Sequence, residues 1–392
     1  MEGIKNYFEI VFVIFITLSM SFMGFKLLLF IIEIRKNKYR KSINGYSDNL
    51  KKLNNGFRGL KGNQEHDDSS YSIKNTKISK KDDKYEILKY DNGDIYKGEL
   101  VEGRRSGFGI CIFSNKDRYE GLWKDDLMHS IGKYIYSDGS VYSGDFKFGV
   151  IEGIGMYTFV NKDIYKGEFK IGKREGRGII VYSNGDKFSG NFKDGLREGK
   201  GKYLYNNGDV FEGEYKDDKL NGKGTYCYID GSKYTGEFKN NVYHGKGVYT
   251  NEEGDIYDGE FKYGYKKGYG ILKYRNKETY KGYFKDDKFN EKGLYLYKDN
   301  SVYEGEYKDG KRFGIGTYTC DSYRYIGEWE NGKKNGIGTY YLLDGGKIEV
   351  CIKEAIIVKG EYIREGKENK EIKNIDISKN EYDIIKKIQA FK

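Results

Sequence analysis

Residues standing two apart along most of this chain share a character: aromatic, glycine, aromatic on one side, charged or polar on the other. Alternation of period two marks a β-strand with two unlike faces. The pattern restarts at Tyr96, Tyr119, Tyr142, Tyr165, Phe188, Phe211, Tyr234, Tyr257, Tyr280, Tyr303 and Tyr325, in steps of 23 residues with a last step of 22. Two residues after every opener stands a glycine, from Gly98 to Gly327, and two further on an aromatic ring, with Leu100 the single exception. The second half of each unit carries an equally regular glycine, from Gly109 and Gly132 to Gly316 and Gly338, followed by alternating residues such as Tyr203 and Tyr205. Between the halves lies a polar stretch such as Asp309-Gly310-Lys311. Between units sit Asn184-Gly185, Asn207-Gly208 and Asp230-Gly231, pairs favoured in tight hairpin turns.

The spacing therefore predicts eleven β-hairpins in an all-β, single-layer antiparallel meander. Opener, glycine and second aromatic share one face, where bare glycine backbone leaves room for a neighbouring ring, and the sheet supplies its own core. Twenty-two strands at about 4.8 Å each make an array on the order of 100 Å long. The other face is expected to be solvated and charge-balanced, with lysines recurring from Lys124 and Lys147 to Lys308 and glutamates such as Glu168, Glu214 and Glu306 beside them.

With Tyr165-Lys166-Gly167-Glu168-Phe169-Lys170 and Tyr303-Glu304-Gly305-Glu306-Tyr307-Lys308-Asp309-Gly310-Lys311 written out, the units resemble MORN (membrane occupation and recognition nexus) repeats over residues 96 to 346. The resemblance implies an elongated, twisted, gently curved hairpin array whose aromatic-lined groove holds partner segments, and homodimerisation in some members. Similar repeats occur in junctophilins, plant phosphatidylinositol phosphate kinases and parasite division scaffolds, in membrane, lipid or cytoskeletal settings. The candidate partner contacts are the second aromatics, Trp123, Phe146, Phe169, Phe192, Tyr215, Phe238, Phe261, Phe284, Tyr307 and Trp329. Packing claims most of these rings, so the exposed remainder, at Trp123 and Trp329 above all, is expected to meet a protein partner. Ser130 and Glu291 replace a glycine that nine units keep, and local kinks or interaction points are expected there. After the repeats, Ile348, Val350 and Ile352 alternate as a closing strand, and Tyr382, Ile384, Ile385, Ile388 and Phe391 recur at helical spacing in a capping tail.

A different pattern opens the chain. No residue from Ile10 to Phe25 is charged, and after Lys26 the apolar run resumes from Leu27 to Ile32. As a helix this stretch covers about 34 Å, enough to span the roughly 30 Å of bilayer hydrocarbon. A cleaved signal peptide fits less well, because the run is long and ends in the basic cluster Arg35, Lys36, Lys38, Arg40 and Lys41. The same cluster places the bulk of the chain in the cytosol, lies close to anionic lipid, and speaks against a secreted, surface-facing topology. Residues 44 to 84, rich in Ser, Asn, Lys and Asp, read as a flexible tether with a reach of about 35 Å. The expected division is an anchor at 1–34 with its span near 10–32, a basic and flexible linker at 35–84, the repeat array at 85–346, and a capping strand and helical tail at 347–392.

Charge and chemistry narrow the function further. Of the net +10, residues 1–95 carry 17 basic against 12 acidic side chains, whereas residues 96–346 carry 42 against 39. A nearly neutral array argues against nucleic acid, whose affinity comes from phosphate neutralisation. The three histidines are scattered, no P-loop or nucleophile elbow occurs, and the four cysteines, lacking any CxxC pair, read as reduced core residues. The expectation is a membrane-anchored, non-enzymatic scaffold with protein partners and neither cofactor, metal nor catalytic residue. The alternative is a protein that binds acidic phospholipids, phosphoinositide or phosphatidic acid, at a membrane contact.

Overall fold

The computed structural model describes residues 85–365, 368–377 and 381–390. The expected span at 10–32, the basic cluster Arg35, Lys36, Lys38, Arg40 and Lys41 and the tether lie outside them. Among the described residues no helix is long and apolar enough to cross a membrane.

The described residues divide between two units, Glu86–Asp91 in the first and Tyr85 with the residues from Asn92 onward in the second. The described part of the first contains the strand Glu86–Lys89. In the second, the described residues form twenty-six strands, from Ile95–Val101 to Ile375–Asp376, in one antiparallel sheet. Each strand pairs with the next as far as Ile356–Ile363, whose far edge pairs with both Lys370–Ile372 and Ile375–Asp376. The predicted closing strand is Lys347–Lys353, with Ile348, Val350 and Ile352 all buried, and the predicted helix is Glu381–Ala390.

One hairpin shows how every unit is made. Lys187–Lys193 and Leu196–Leu204 pair through Phe188↔Tyr203 and Gly190↔Gly201, then through Phe192↔Arg197 after a register shift. The turn between them is Asp194-Gly195, both at positive φ (50° and 90°), the mark of a two-residue type I′ turn. Between units the connection is longer than expected. The Tyr182 N–H donates to the Asp186 carbonyl at 2.9 Å and the Gly185 N–H to the Tyr182 carbonyl at 3.0 Å, so Asn184-Gly185 belongs to a three-residue loop with a left-handed glycine at its end. The tight turns are the pairs inside the units, such as Asp217-Asp218 and Asn240-Asn241.

The opener ring lies flat over both glycines of its hairpin. A Cβ on Gly259 would stand 2.6 Å from Tyr257 Cζ and 2.7 Å from Gly270 Cα, so neither glycine tolerates a side chain. Nine openers are tyrosines, and the hydroxyl donates to the carbonyl three residues on, as Tyr257 does to Glu260 at 3.0 Å.

The register shift is a bulge on the second strand, with a left-handed residue at its centre: Gly176 at φ +65°, Gly245 at +60°. On the face away from the rings a carboxylate folds over it. Glu168 accepts from the Arg177 N–H at 3.1 Å, Asp145 from Ile154 at 2.9 Å and Glu237 from Lys246 at 3.3 Å. A Cβ on Gly176 would meet Glu168 Oε2 at 2.5 Å. Ser130 and Glu291 occupy this same bulge at φ 60° and 55°, and pairing continues past them through Ser130↔Phe146 and Glu291↔Tyr307. The expected kinks are therefore absent. In those two units the acid is replaced by Leu122 and Tyr283, so no carboxylate folds over the bulge.

Two further expectations change. The face away from the rings is not uniformly charged, because Ile154, Met156, Ile179 and Val248 stand exposed among its lysines and acids. Of the cysteines only Cys111 is buried; Cys227 and Cys320 are half-buried and Cys351 is exposed.

Candidate binding face

Four rows of side chains build the ring face. The openers form the innermost row, and the second aromatics meet them edge to face. Phe169, for instance, lies 5.0 Å from Tyr165 of its own unit and 5.1 Å from Tyr142 of the unit before. Such contacts run without a break from Tyr119–Phe146 to Tyr303–Trp329 and exploit the preference of aromatic quadrupoles for T-shaped contact.

All ten second aromatics lie in this ladder: Trp123, Phe146, Phe169, Phe192, Tyr215, Phe238, Phe261, Phe284, Tyr307 and Trp329 are 3–6% exposed. The surface expected at Trp123 and Trp329 is likewise covered, and their indole N–H groups donate to the carbonyls of Gly109 at 3.3 Å and Gly316 at 3.1 Å. Tyr215 and Tyr307 differ in having buried hydroxyls with no hydrogen-bond partner.

Above the openers runs a column that sequence reasoning passed over: Arg105, Met128, Ile151, Arg174, Arg197, Leu220, Tyr243, Lys266, Phe289, Arg312 and Lys334. Each is the second residue of its strand, and each but Arg105, which faces Leu100, pairs with a second aromatic, as Arg197 does with Phe192 and Lys334 with Trp329. Aromatic members stack flat on the opener, Tyr243 on Tyr234 at 3.8 Å and Phe289 on Tyr280 at 3.7 Å. Cationic members lie over rings instead, Arg312 at 4.2 Å from Trp329 and Arg174 at 5.3 Å from Phe192. The bulge inserts two residues rather than one and so preserves parity. Counting back four from the second glycine would have placed this column on the ring face.

The outer row is half-buried and mostly tyrosine: Tyr134 and Tyr136, Tyr157 and Phe159, Tyr203 and Tyr205, Tyr226 and Tyr228, Tyr295 and Tyr297. Neighbouring rings touch, with Tyr203–Tyr205 at 4.4 Å, Tyr205–Tyr226 at 5.6 Å and Tyr226–Tyr228 at 4.4 Å. Acids of the inter-unit loops fix them from behind. Asp186 accepts from the Tyr203 hydroxyl at 2.8 Å and the Asn206 N–H at 2.8 Å; Asp117 does the same for Tyr134 and Ser137. Burial works against charge on Asp117, yet the hydrogen bonds from Tyr134, Ser137 and Asn115 outweigh it and hold the carboxyl below its ordinary value.

Between these rows a cavity of about 540 Å³ opens, walled by Tyr205, Tyr226 and Tyr228 and floored by Tyr215, Leu220 and Phe238. At the last repeat the same face is covered by the chain itself. Glu381, in the first turn of the helix, accepts hydrogen bonds from Lys334 Nζ and from the Tyr340 hydroxyl, and Ile385 is buried. Burial depresses Lys334 to about 8 against the opposing pull of Glu381. Among the described residues no cluster of three His, Cys, Asp or Glu side chains is placed to hold a metal.

The MORN repeat family profile matches eleven consecutive segments, 96–118, 119–141, 142–164, 165–187, 188–210, 211–233, 234–256, 257–279, 280–302, 303–323 and 325–347. No curated protein matches the chain in sequence. Among solved structures, the chain is similar to the TCP10 domain of Danio rerio CPAP in complex with a STIL peptide (13% identity, 60% of this chain and 94% of that one, TM-score 0.31). It is also similar to the SAS-4 TCP domain of Drosophila melanogaster (12%, 55% and 95%, TM-score 0.22) and to virginiamycin B lyase of Staphylococcus aureus (13%, 74% and 94%, TM-score 0.12). At these scores the three likenesses carry no argument.

Proposed function

The chain belongs to the MORN repeat family, a non-enzymatic repeat family, and from that premise we propose that it is a membrane-anchored scaffold that holds protein partners along its ring face. The observation carrying this reading is the outer tyrosine row beside a variable column: a strip of half-buried rings, interrupted at Ile180 and Leu272, whose neighbouring side chains change from cation to aliphatic to aromatic along the array. Rigid amphipathic rings give contact area at low entropic cost, and the changing column gives register. The ten second aromatics act in this proposal as the support that sets the outer rings, together with any direct contact they make once a partner is seated.

The anchor at 1–34 and the basic linker with Arg35, Lys36, Lys38, Arg40 and Lys41 supply the location, with the array at 85–346 on the cytosolic side and the tail at 347–392 closing it. Proximity labelling from the carboxyl terminus, with the full chain and with a chain lacking residues 1–43, tests the division of labour. Neighbours common to both support the ring face as the choosing element. Loss of every specific neighbour in the shortened chain overturns that element, and salt-sensitive capture of anionic vesicles by the shortened chain replaces it with lipid recognition.

A further inference from the structure

Cations of the column differ in how they are neutralised. Arg105 and Arg197 each meet an aspartate from the next tight turn, Asp126 at 3.3 Å and Asp218 at 2.9 Å. In the last unit that turn position is Ala355, and the loop acid that would hold Tyr340, as Asp186 holds Tyr203, is Tyr323. Both acids are missing, and Glu381 of the helix supplies one carboxylate to Lys334 and Tyr340 together. The chain thus displays what its ring face accepts: a helix that brings an acid to an unanswered cation and buries an aliphatic residue, Ile385, beside it.

Arg174 is unanswered in the same way. Its turn residue is Gly195, which offers only a carbonyl to the guanidinium, and its outer-row neighbour is Ile180, so no carboxylate pairs with it among the described residues. Two units further along lies Leu220 on the floor of the cavity, beside the buried, unpartnered hydroxyl of Tyr215. Four strand spacings separate the two positions, about 19 Å. Fourteen residues of α-helix rise about 21 Å, close to that distance, and return the side chain to within about 40° of the same helix face.

We propose that the ring face from Arg174 to Leu220 docks an amphipathic helix of a partner protein, which sets a carboxylate against Arg174 and, about fourteen residues on along the same helix face, an apolar side chain into the tyrosine-walled cavity. The proposal rests on the scaffold reading and specifies its ligand. A carboxylate on Arg174 repeats the Lys334–Glu381 contact in trans, and the variable column becomes the code by which one stretch of the array is chosen over another.

The test uses the full chain and a fluorescein-labelled, alanine-based helical peptide carrying Glu near its start and Phe about fourteen residues later on the same face, followed by fluorescence anisotropy. Binding is expected to weaken at least tenfold when the peptide Glu becomes Gln, and equally for Arg174→Leu. Arg174→Lys is expected to retain most of it. Leucine occupies the same column position at Leu220 in the native array, so Arg174→Leu keeps the fold, and an unchanged melting curve verifies this. No binding, or binding indifferent to both changes, overturns the proposal. So does a preference of the Arg174 site for phosphatidylserine-containing vesicles over the peptide. The scaffold reading fails separately: if Leu220→Asp and Arg174→Leu both leave the proximity-labelled neighbours unchanged, the ring face is not the binding face, whereas a loss with Leu220→Asp alone refutes only the role of Arg174.

Discussion

In both units whose bulge residue is not glycine, at Ser130 and Glu291, the acid above it is absent too, and a double-mutant cycle at Gly176 and Glu168 puts an energy on that dependence. Gly176 sits at φ +65°, where a non-glycine residue costs about 1 kcal/mol. A Cβ there would also stand 2.5 Å from Glu168 Oε2, displacing the carboxylate from the Arg177 N–H, a bond with a net worth of about 1 kcal/mol. Gly176→Ser should therefore lose about 2 kcal/mol, and Glu168→Leu about 1 kcal/mol for the same hydrogen bond. The pair together copies the natural Leu122–Ser130 unit and loses the bond only once, for a total near 2 kcal/mol and a coupling of about 1 kcal/mol. Long arrays lose two-state behaviour, so the assay is native-state amide exchange over the hairpin Ile164–Val181, where the coupling appears as about a fivefold slower opening than additivity gives. Additivity to within about 0.3 kcal/mol would refute the steric link.

Three other outcomes follow from the same contacts. Tyr257→Phe removes the bond to the Glu260 carbonyl and should lose about 1 kcal/mol, whereas Tyr257→Leu, which also uncovers the two glycines, should lose several times that; exchange rates in the hairpin Ile256–Lys273 check both. Glu381→Gln leaves Lys334 as a buried cation without its counter-charge, so the helix should undock, and limited proteolysis should cut after Lys373 while the repeats stay intact. The loop acids Asp117, Asp186 and Asp209 are each held below the ordinary carboxylate value by their hydrogen bonds despite burial. A lowered folded pKa gives stability that is complete above the unfolded value and lost as pH falls through the folded one, so the melting temperature should drop below about pH 4, and less steeply with all three changed to Asn.

The rows with period two were plain in the sequence, because a ring lying on glycine backbone leaves almost no choice of residue at Tyr96, Gly98 and Gly109 or their counterparts. What could not be read was which rings stay covered. Trp123 and Trp329 looked like surface because tryptophan is large and rare here, but the edge-to-face contacts with two openers each close over them. The column escaped notice for the opposite reason: Arg105, Met128, Ile151 and Lys266 have no common chemistry, and only the two-residue bulge brings them to one line. Turn type was likewise misassigned, since Asn184-Gly185 carries a hairpin signal that the local loop uses with one positive φ rather than two.

Those illegible positions are the ones free to vary, and that freedom separates support from recognition. A repeat that must close over its neighbour fixes the opener, the two glycines and the second aromatic; any loss there propagates to the unit on either side through the T-shaped contacts. The column and the acids answering it carry no such constraint, which is why the array can end where it does. In the last unit Tyr323 and Ala355 stand where units such as those of Asp186 and Asp218 have acids, and a single glutamate from outside the sheet meets both needs. An array that accepts Glu381 from a helix at its end has the stereochemistry to accept a carboxylate from another chain at Arg174, with the difference that the tethered helix is always present at high effective concentration and the partner is not.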